Sequence, residues 1–301
     1  MSRFQGAWPA LITPFTRDGG DVNVPMLRQL VDYLIGYGVG GFYVCGSTGE
    51  GVYMTVAERQ LTLATVVEQT NGRVPVIAHV GTMVSRDAVA LSSHAQSVGV
   101  NAIASIIPPL YANVDSIYEY FHALGAAAPD TRLLTYIFGG PTDAVALMRK
   151  LMPIETVAGS KYTGPNMHEF RQILDLGAEY AGKFEWTAFS GMDEECLFAA
   201  QFGANGNIGS TLNYFPGVYR EIHASWAAKD MARGTELQLQ ANEVTRILFG
   251  YGFMGAMKEV MRMLGLDCGQ PRLPNRPFSA EKSAALKAEL DAVDFFTLAA
   301  M

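Results

Sequence analysis

Eight short apolar segments alternate along this chain with longer segments of helical period. Each short segment is nearly continuous in hydrophobicity, which is typical of a strand buried on both faces of a parallel sheet. The predicted strands are Trp8–Pro14, Gly41–Cys45, Val74–His79, Asn101–Ile107, Arg132–Phe138, Thr156–Tyr162, Phe184–Phe189 and Asn205–Gly209. Eight strand–helix units at roughly even spacing predict a closed (β/α)₈ barrel, with an open doubly wound sheet as the alternative.

The pattern changes after the last predicted strand. The predicted helices between the strands are Val24–Tyr37, Thr55–Thr70, Val84–Val98, Asp115–Ala127, Ala144–Met152, Asn166–Leu176 and Glu194–Gln201. Four further helical segments then follow one another without strands: Phe215–Ala228, Arg233–Phe249, Phe253–Leu264 and Ala280–Ala292. We therefore predict a barrel core over residues 1–212, and the last barrel helix with a C-terminal helical extension over residues 213–301.

Composition and charge exclude several classes of protein. The 22 Lys and Arg residues against 29 Asp and Glu give a net charge of −7, and no basic run occurs, which argues against a nucleic-acid partner. The apolar segments are too short to span a bilayer, so no membrane association is expected. Residues Met1–Phe15 lack the pattern of a secretory signal, which predicts a cytoplasmic protein. The cysteines are far apart and the histidines lack ligand spacing, so no metal site is predicted.

In a barrel of this kind, the functional residues follow the strands at their carboxyl ends. The second predicted strand ends in Gly46-Ser47-Thr48-Gly49-Glu50-Gly51. Its backbone N–H groups and two hydroxyls could hold a carboxylate or a phosphate. A glycine-rich turn that needs positive φ explains the same residues equally well.

Lys161 lies in the otherwise apolar sixth strand, and Tyr136 lies near the end of the fifth. Burial disfavours a charged ammonium, so a lysine here is predicted to attack a ketone and form a Schiff base. The alternative is a lysine whose amine extends to solvent at the strand end. A nearby phenol could transfer protons during the reaction, although tyrosines in strands are more often part of the core.

Polar residues also follow the last two strands. Asp193 and Glu194 come after Gly191, where they could accept hydrogen bonds from a polyol or stabilise the start of a helix. Ser210 and Thr211 form a hydroxyl pair after the eighth strand.

Together, the segment Gly46–Glu50, Tyr136 and Lys161 resemble the dihydrodipicolinate synthase / N-acetylneuraminate lyase family. The resemblance extends in motif order over residues 6–278. It implies a class I aldolase on a (β/α)₈ barrel that acts on pyruvate or another 2-keto acid, and usually a homotetramer. Lys161 is then expected to form the Schiff base and Tyr136 to relay the proton. Because the imine is the electron sink, neither a metal nor an organic cofactor is expected.

The resemblance also implies roles for the other polar residues. Ser47 and Thr48 correspond to the loop that holds the pyruvate carboxylate. Lyases of the family that act on sialic acid bind the sugar through further residues, which match Thr163, Gly191, Asp193, Glu194 and Ser210. The expected reaction is therefore the reversible cleavage of N-acetylneuraminate to N-acetylmannosamine and pyruvate.

The chain departs from the family pattern around Tyr136. No arginine occurs between Ile137 and Met148, where a synthase would bind a second carboxylate, which argues against lysine biosynthesis. The tyrosine is followed by Ile137-Phe138-Gly139-Gly140 in place of the usual Asn/His-x-Pro, and the tyrosine pair after the fourth strand appears as Leu110-Tyr111. Another pyruvate-dependent aldolase or a dehydratase of a sugar-derived 2-keto acid is the first alternative. A non-catalytic barrel that binds a 2-keto acid is the second.

Overall fold

Eight parallel strands form one sheet in the computed structural model, which describes residues 4–108, 113–139 and 143–301. The strands are β1 (Gly6–Pro9), β2 (Phe42–Val44), β3 (Val76–His79), β4 (Ala102–Ile106), β5 (Arg132–Phe138), β6 (Val157–Thr163), β7 (Thr187–Ser190) and β8 (Gly206–Gly209). Neighbours follow the order β1-β8-β7-β6-β5-β4-β3-β2. The two ends of that order meet where Ala10 bridges Tyr43 in parallel orientation. The sheet is therefore closed into a barrel, which confirms the predicted fold over the open-sheet alternative.

Helices connect the strands and continue beyond them. The barrel helices are α1 (Val24–Gly36), α2 (Val56–Thr70), α3 (Ser85–Ser97), α4 (Val114–Ala127), α5 (Ala144–Leu151), α6 (Met167–Asp175), α7 (Cys196–Phe202) and α8 (Pro216–Ala227). The extension consists of α9 (Met231–Gly250), α10 (Phe253–Met263), α11 (Ser283–Ala292) and α12 (Phe295–Ala299). Helix α2 starts with a capping box, in which Thr55 and Glu58 exchange hydrogen bonds.

Large apolar side chains fill the lower part of the barrel, at the amino ends of the strands. Phe4 stacks on Trp8, and the Trp8 ring in turn meets Phe189 edge-on. Ile77 and Leu134 belong to the same buried cluster. Since this end is packed, the opposite end, where the strands finish, is left for polar side chains.

Most element boundaries shift by one to three residues from the predicted ones, and two differences are larger. The first strand was predicted over Trp8–Pro14 but ends at Pro9. Beyond that point the chain runs along β2, and Leu11 N donates to Tyr43 O at 2.9 Å. Helix α12 was not predicted, because it has only five residues and follows Asp294 in a left-handed conformation.

Two sequence features cannot be placed on this fold. Leu110 and Tyr111, and also Gly140, lie outside the described residues. Within the described residues, every helix is too short or too polar to cross a lipid bilayer.

Candidate active site

Lys161 and Tyr136 lie side by side on neighbouring strands near the carboxyl end of the barrel. The register of β5 and β6 pairs the two residues directly. Lys161 is only 6% exposed, and its Nζ lies 3.9 Å from the centre of the Tyr136 ring and 5.2 Å from that of Tyr43. The strand thus directs the amine into the barrel among aromatic rings, and away from bulk solvent. This excludes the alternative of a lysine that extends outward.

A buried polar layer supports this pair from below. Arg59 of α2 is buried and donates hydrogen bonds to the carbonyl oxygens of His79 and Gly81. His79 Nε2 accepts from Ile106 N at 3.1 Å. Burial, together with the charges of Arg59 and Lys161, holds the pKa of His79 well below its ordinary value. His79 is therefore a neutral, hydrogen-bonded residue.

Cys45 lies beside the same layer and is buried. Burial raises the pKa of its thiol to about 11. The thiol is protonated near neutral pH, so Cys45 is a packing residue and not a nucleophile.

The loop after β2 adopts a tight turn that opens toward the barrel. The amide N–H groups of Thr48 and Gly49 donate to no other group in the described part of the chain. The Thr48 side chain is nearly buried, and its Oγ1 lies 2.7 Å from Ser210 Oγ. Ser47 is exposed at the mouth. The turn thus offers N–H and O–H groups from two strand ends to one ligand, which a purely structural turn does not require.

Glycines make the tight course of this loop possible. A Cβ on Gly51 would lie 2.0 Å from the Cys45 carbonyl oxygen, and one on Gly49 would lie 2.7 Å from the Leu11 carbonyl oxygen. Glu50 has a left-handed φ of 55°. Its buried carboxylate turns away from the site toward Lys258. The expectation that these glycines need positive φ is therefore wrong: the left-handed residues of the turn are Cys45 and Glu50, and the glycines are required by close backbone contacts.

Asp193 is buried at the end of β7 and binds the start of the next loop. Its Oδ2 accepts from Thr211 N at 3.0 Å and from Thr211 Oγ1 at 2.7 Å. Its Oδ1 has no hydrogen-bond partner among the described residues. Burial raises the pKa of Asp193 to about 6, against the hydrogen bonds from Thr211. The carboxylate is therefore held in place by one oxygen while the other remains available.

The extension positions this loop from outside. Gln238 of α9 donates to the Asp193 carbonyl oxygen at 3.0 Å, and Asn242 donates to the Glu194 carbonyl oxygen at 3.1 Å. Residues 193–195 form a short 3₁₀ turn before α7. The acidic pair thus lies at a helix start, and the Asp193 carboxylate binds Thr211 at the end of β8.

Two glycines leave room for the polar side chains. A Cβ on Gly191 would lie 1.8 Å from Thr163 Oγ1 and 3.1 Å from Lys161 Cε, and one on Gly209 would lie 1.4 Å from Asp193 Oδ1. Thr163 Oγ1 is buried without a partner in the described residues. Gly191 therefore lets Lys161 and Thr163 face the same space.

Sequence reasoning missed several contributors to this geometry. Tyr43, Arg59 and Gly209 were not singled out, and Thr211 was noted only as part of a hydroxyl pair. The hydroxyl pair was the one signal that could have identified Thr211. No group of three or more His, Cys, Asp or Glu side chains within the described ranges could hold a metal ion.

The sequence of this chain is similar over nearly its whole length to those of known proteins. The model of the Dihydrodipicolinate synthetase family matches residues 3–293. The chain is 32% identical over 291 residues to an N-acetylneuraminate lyase of Rhizobium meliloti, covering 95% of this chain and 94% of that protein.

Solved structures agree with the sequence comparison. An N-acetylneuraminate lyase of Proteus mirabilis superposes with a TM-score of 0.90 at 30% identity, covering 97% of this chain and 99% of that one. A catalytic lysine mutant of the Ruminococcus gnavus sialic acid aldolase superposes with a TM-score of 0.91 at 25% identity, covering 97% and 96% of the two chains.

Proposed function

The chain belongs to the dihydrodipicolinate synthetase family, and from that premise we propose that it is a class I aldolase that reversibly cleaves N-acetylneuraminate to N-acetylmannosamine and pyruvate. The observation that carries the proposal is the buried Lys161 amine, 3.9 Å from the centre of the Tyr136 ring. The likeness to N-acetylneuraminate lyases over nearly the whole chain supports the choice of substrate.

Lys161 is the nucleophile of the proposed reaction. Its Nζ attacks the C2 ketone of the open-chain sugar acid, and loss of water gives a protonated imine. When the bond between C3 and C4 breaks, its electron pair moves into the iminium and forms an enamine. Proton addition at C3 and hydrolysis then release pyruvate and regenerate the amine.

Tyr136 is the proton carrier. The C4 hydroxyl must lose its proton as C4 becomes the aldehyde carbon of N-acetylmannosamine. Tyr136 gives its phenolic proton to the hydroxyl that leaves the carbinolamine as water, and the resulting phenolate can accept the C4 proton and return it to C3 of the enamine. The direct pairing of Tyr136 with Lys161 on adjacent strands supports this role.

The loop after β2 holds the carboxylate next to C2. Its candidate donors are the hydroxyls of Ser47 and Thr48 and the free N–H groups of the turn. Glu50 does not repel the anion, because its carboxylate is paired with Lys258 on the far side of the loop. Ser210 takes part through its contact with Thr48.

The remaining polar groups suit the hydroxylated part of the substrate. Thr163 Oγ1 and Asp193 Oδ1 lack partners among the described residues, and buried polar atoms normally have one. Gly191 and Glu194 lie on the same strand end. We assign these residues, which lie at the ends of β6 and β7, to sugar binding. The homotetrameric assembly and the cytoplasmic location stay predictions from the sequence.

A coupled assay for pyruvate release from N-acetylneuraminate tests the proposed substrate. Steady-state turnover that is lost in Lys161→Ala supports the proposal. Absence of turnover by folded protein that still forms an imine with pyruvate would favour the alternative of another pyruvate-dependent aldolase. That alternative draws on Ile137 and Gly139, which replace the usual Asn or His and the proline of the family after the tyrosine.

A further inference from the structure

An exposed aromatic side chain stands at the mouth of the barrel beside the candidate catalytic pair. Phe138 is the last residue of β5 and is 62% exposed. Its ring centre lies 6.3 Å from that of Tyr136, with the rings edge to face. The roles proposed above for the site leave this ring without a function.

The Phe138 side chain faces the barrel interior, as the alternation of side chains along β5 and β6 shows. Ile137 and Tyr162 pack with Phe170 in the apolar cluster between the barrel and its helices. Their neighbours in sequence therefore face the interior. The register pairs Phe138 with Thr163, two residues beyond Tyr136 and Lys161 on the same strands. Phe138 and Thr163 thus form the next interior layer toward the mouth.

The backbone at Phe138 is held by the sheet rather than by a free loop. Gly139 N donates to Thr163 O at 2.6 Å. A Cβ on Gly139 would lie 2.9 Å from Gly164 Cα, so only glycine allows this close approach of the two strand ends. The pairing of the two strands therefore fixes the position of the Phe138 backbone, two residues beyond Tyr136 toward the mouth of the barrel.

We propose that Phe138 is a specificity-determining residue that contacts the aldehyde-derived part of the substrate. This inference rests on the proposed function. A carbon chain that runs from C2 at Lys161 toward the mouth passes the layer formed by Thr163 and Phe138. Thr163 offers a free hydroxyl, whereas the Phe138 ring cannot form a strong hydrogen bond and favours an apolar group. In N-acetylneuraminate, C5 is the first carbon beyond the cleaved bond that carries such a group, the acetamido methyl.

The test compares two substrates with wild type and with Phe138→Ala. One is N-acetylneuraminate, and the other is the nine-carbon analogue with a hydroxyl in place of the acetamido group. We expect Phe138→Ala to lower kcat/KM for N-acetylneuraminate by roughly tenfold and to leave the analogue nearly unchanged, because one apolar contact is worth about that much discrimination. Phe138→Leu should retain part of the preference. Phe198→Ala is the matched control, since Phe198 is 52% exposed on α7 and is expected to affect neither substrate.

One result would overturn the inference: an unchanged ratio of the two kcat/KM values in Phe138→Ala, whether both values stay at the wild-type level or fall by the same factor. Borohydride trapping with pyruvate separates this failure from failure of the proposed function. Wild-type protein that forms no imine would refute the function itself. Wild-type and variant protein that both form the imine, with an unchanged substrate ratio, would refute only the role of Phe138.

Discussion

Glu50 and Lys258 form an ion pair of 3.0 Å in which the two side chains are 0% and 1% exposed. Glu50 belongs to the loop after β2, and Lys258 lies on α10 of the C-terminal extension. Lys258 also donates to the carbonyl oxygens of Thr13 and Gln270, and burial lowers its pKa against the attraction of Glu50. The extension is therefore part of the site, because it neutralises the only acid of the candidate carboxylate-binding loop.

Lys258→Met is expected to lower the free energy of unfolding by about 3–5 kcal/mol, because it leaves the buried Glu50 carboxylate without its ion-pair partner. The carboxylate then keeps the hydrogen bonds from Arg272 N and Asn275 Nδ2. It should also raise KM for the 2-keto acid. Urea denaturation and steady-state kinetics measure the two effects. Lys287→Met is the control, since Lys287 forms an exposed pair with Asp291 that contributes about 0–1 kcal/mol. Recovery of stability in Glu50→Gln/Lys258→Met is expected, and equal stability of Lys258→Met and wild type would contradict this account.

Asp193 is expected to make stability depend on pH in a direction that is unusual for an aspartate. Its pKa is raised by burial to about 6 in the folded protein, so the folded state keeps a proton that the unfolded chain releases near pH 4. Its contribution to stability is full below about pH 4 and falls by roughly 3 kcal/mol as pH rises to about 6, with little change above. Asp193→Asn should therefore gain stability relative to wild type between pH 4 and pH 6. A stability difference that is flat over this range would show that Asp193 does not titrate there.

Tyr136→Phe is expected to form the imine with pyruvate but to lose about 10²–10⁴-fold in kcat, because the proton carrier is removed while Lys161 remains in place. Borohydride trapping and the pyruvate-release assay measure the two steps. Tyr162→Phe is the matched control, since Tyr162 follows Lys161 on β6 but faces the helices and donates to Glu169. A kcat for Tyr136→Phe equal to that of the control would exclude Tyr136 from proton transfer.

Gly209→Ala is expected to displace the Asp193 carboxylate, because the added Cβ would lie 1.4 Å from Asp193 Oδ1. Overpacking of this kind costs about 1–3 kcal/mol, and cleavage of the sugar acid should fall more than imine formation with pyruvate. Gly250→Ala serves as the control, because a Cβ there meets nothing within 4 Å. Thermal unfolding and the two assays provide the readout, and wild-type stability and turnover in Gly209→Ala would show that Asp193 is not held against β8.

The barrel and the position of Lys161 could be predicted because their signals are local. Apolar strands of regular spacing indicate parallel neighbours, and a lysine in such a strand is conspicuous. The roles of partners distant in sequence could not be predicted. In the sequence, Lys258 is one of several lysines in helical segments. Its contact with Glu50 joins residues more than 200 positions apart, and only the fold shows it. In the same way, the adjacent acids Asp193 and Glu194 look equivalent in sequence, and only the fold shows that the Asp193 carboxylate is buried and binds Thr211.

Borohydride reduction in the presence of pyruvate, followed by peptide mass spectrometry, tests the central claim most directly. The account predicts one pyruvyl adduct per chain, on the peptide that contains Lys161, and none in Lys161→Arg. An adduct on another lysine, such as Lys258, or no adduct on folded and active protein, would contradict it.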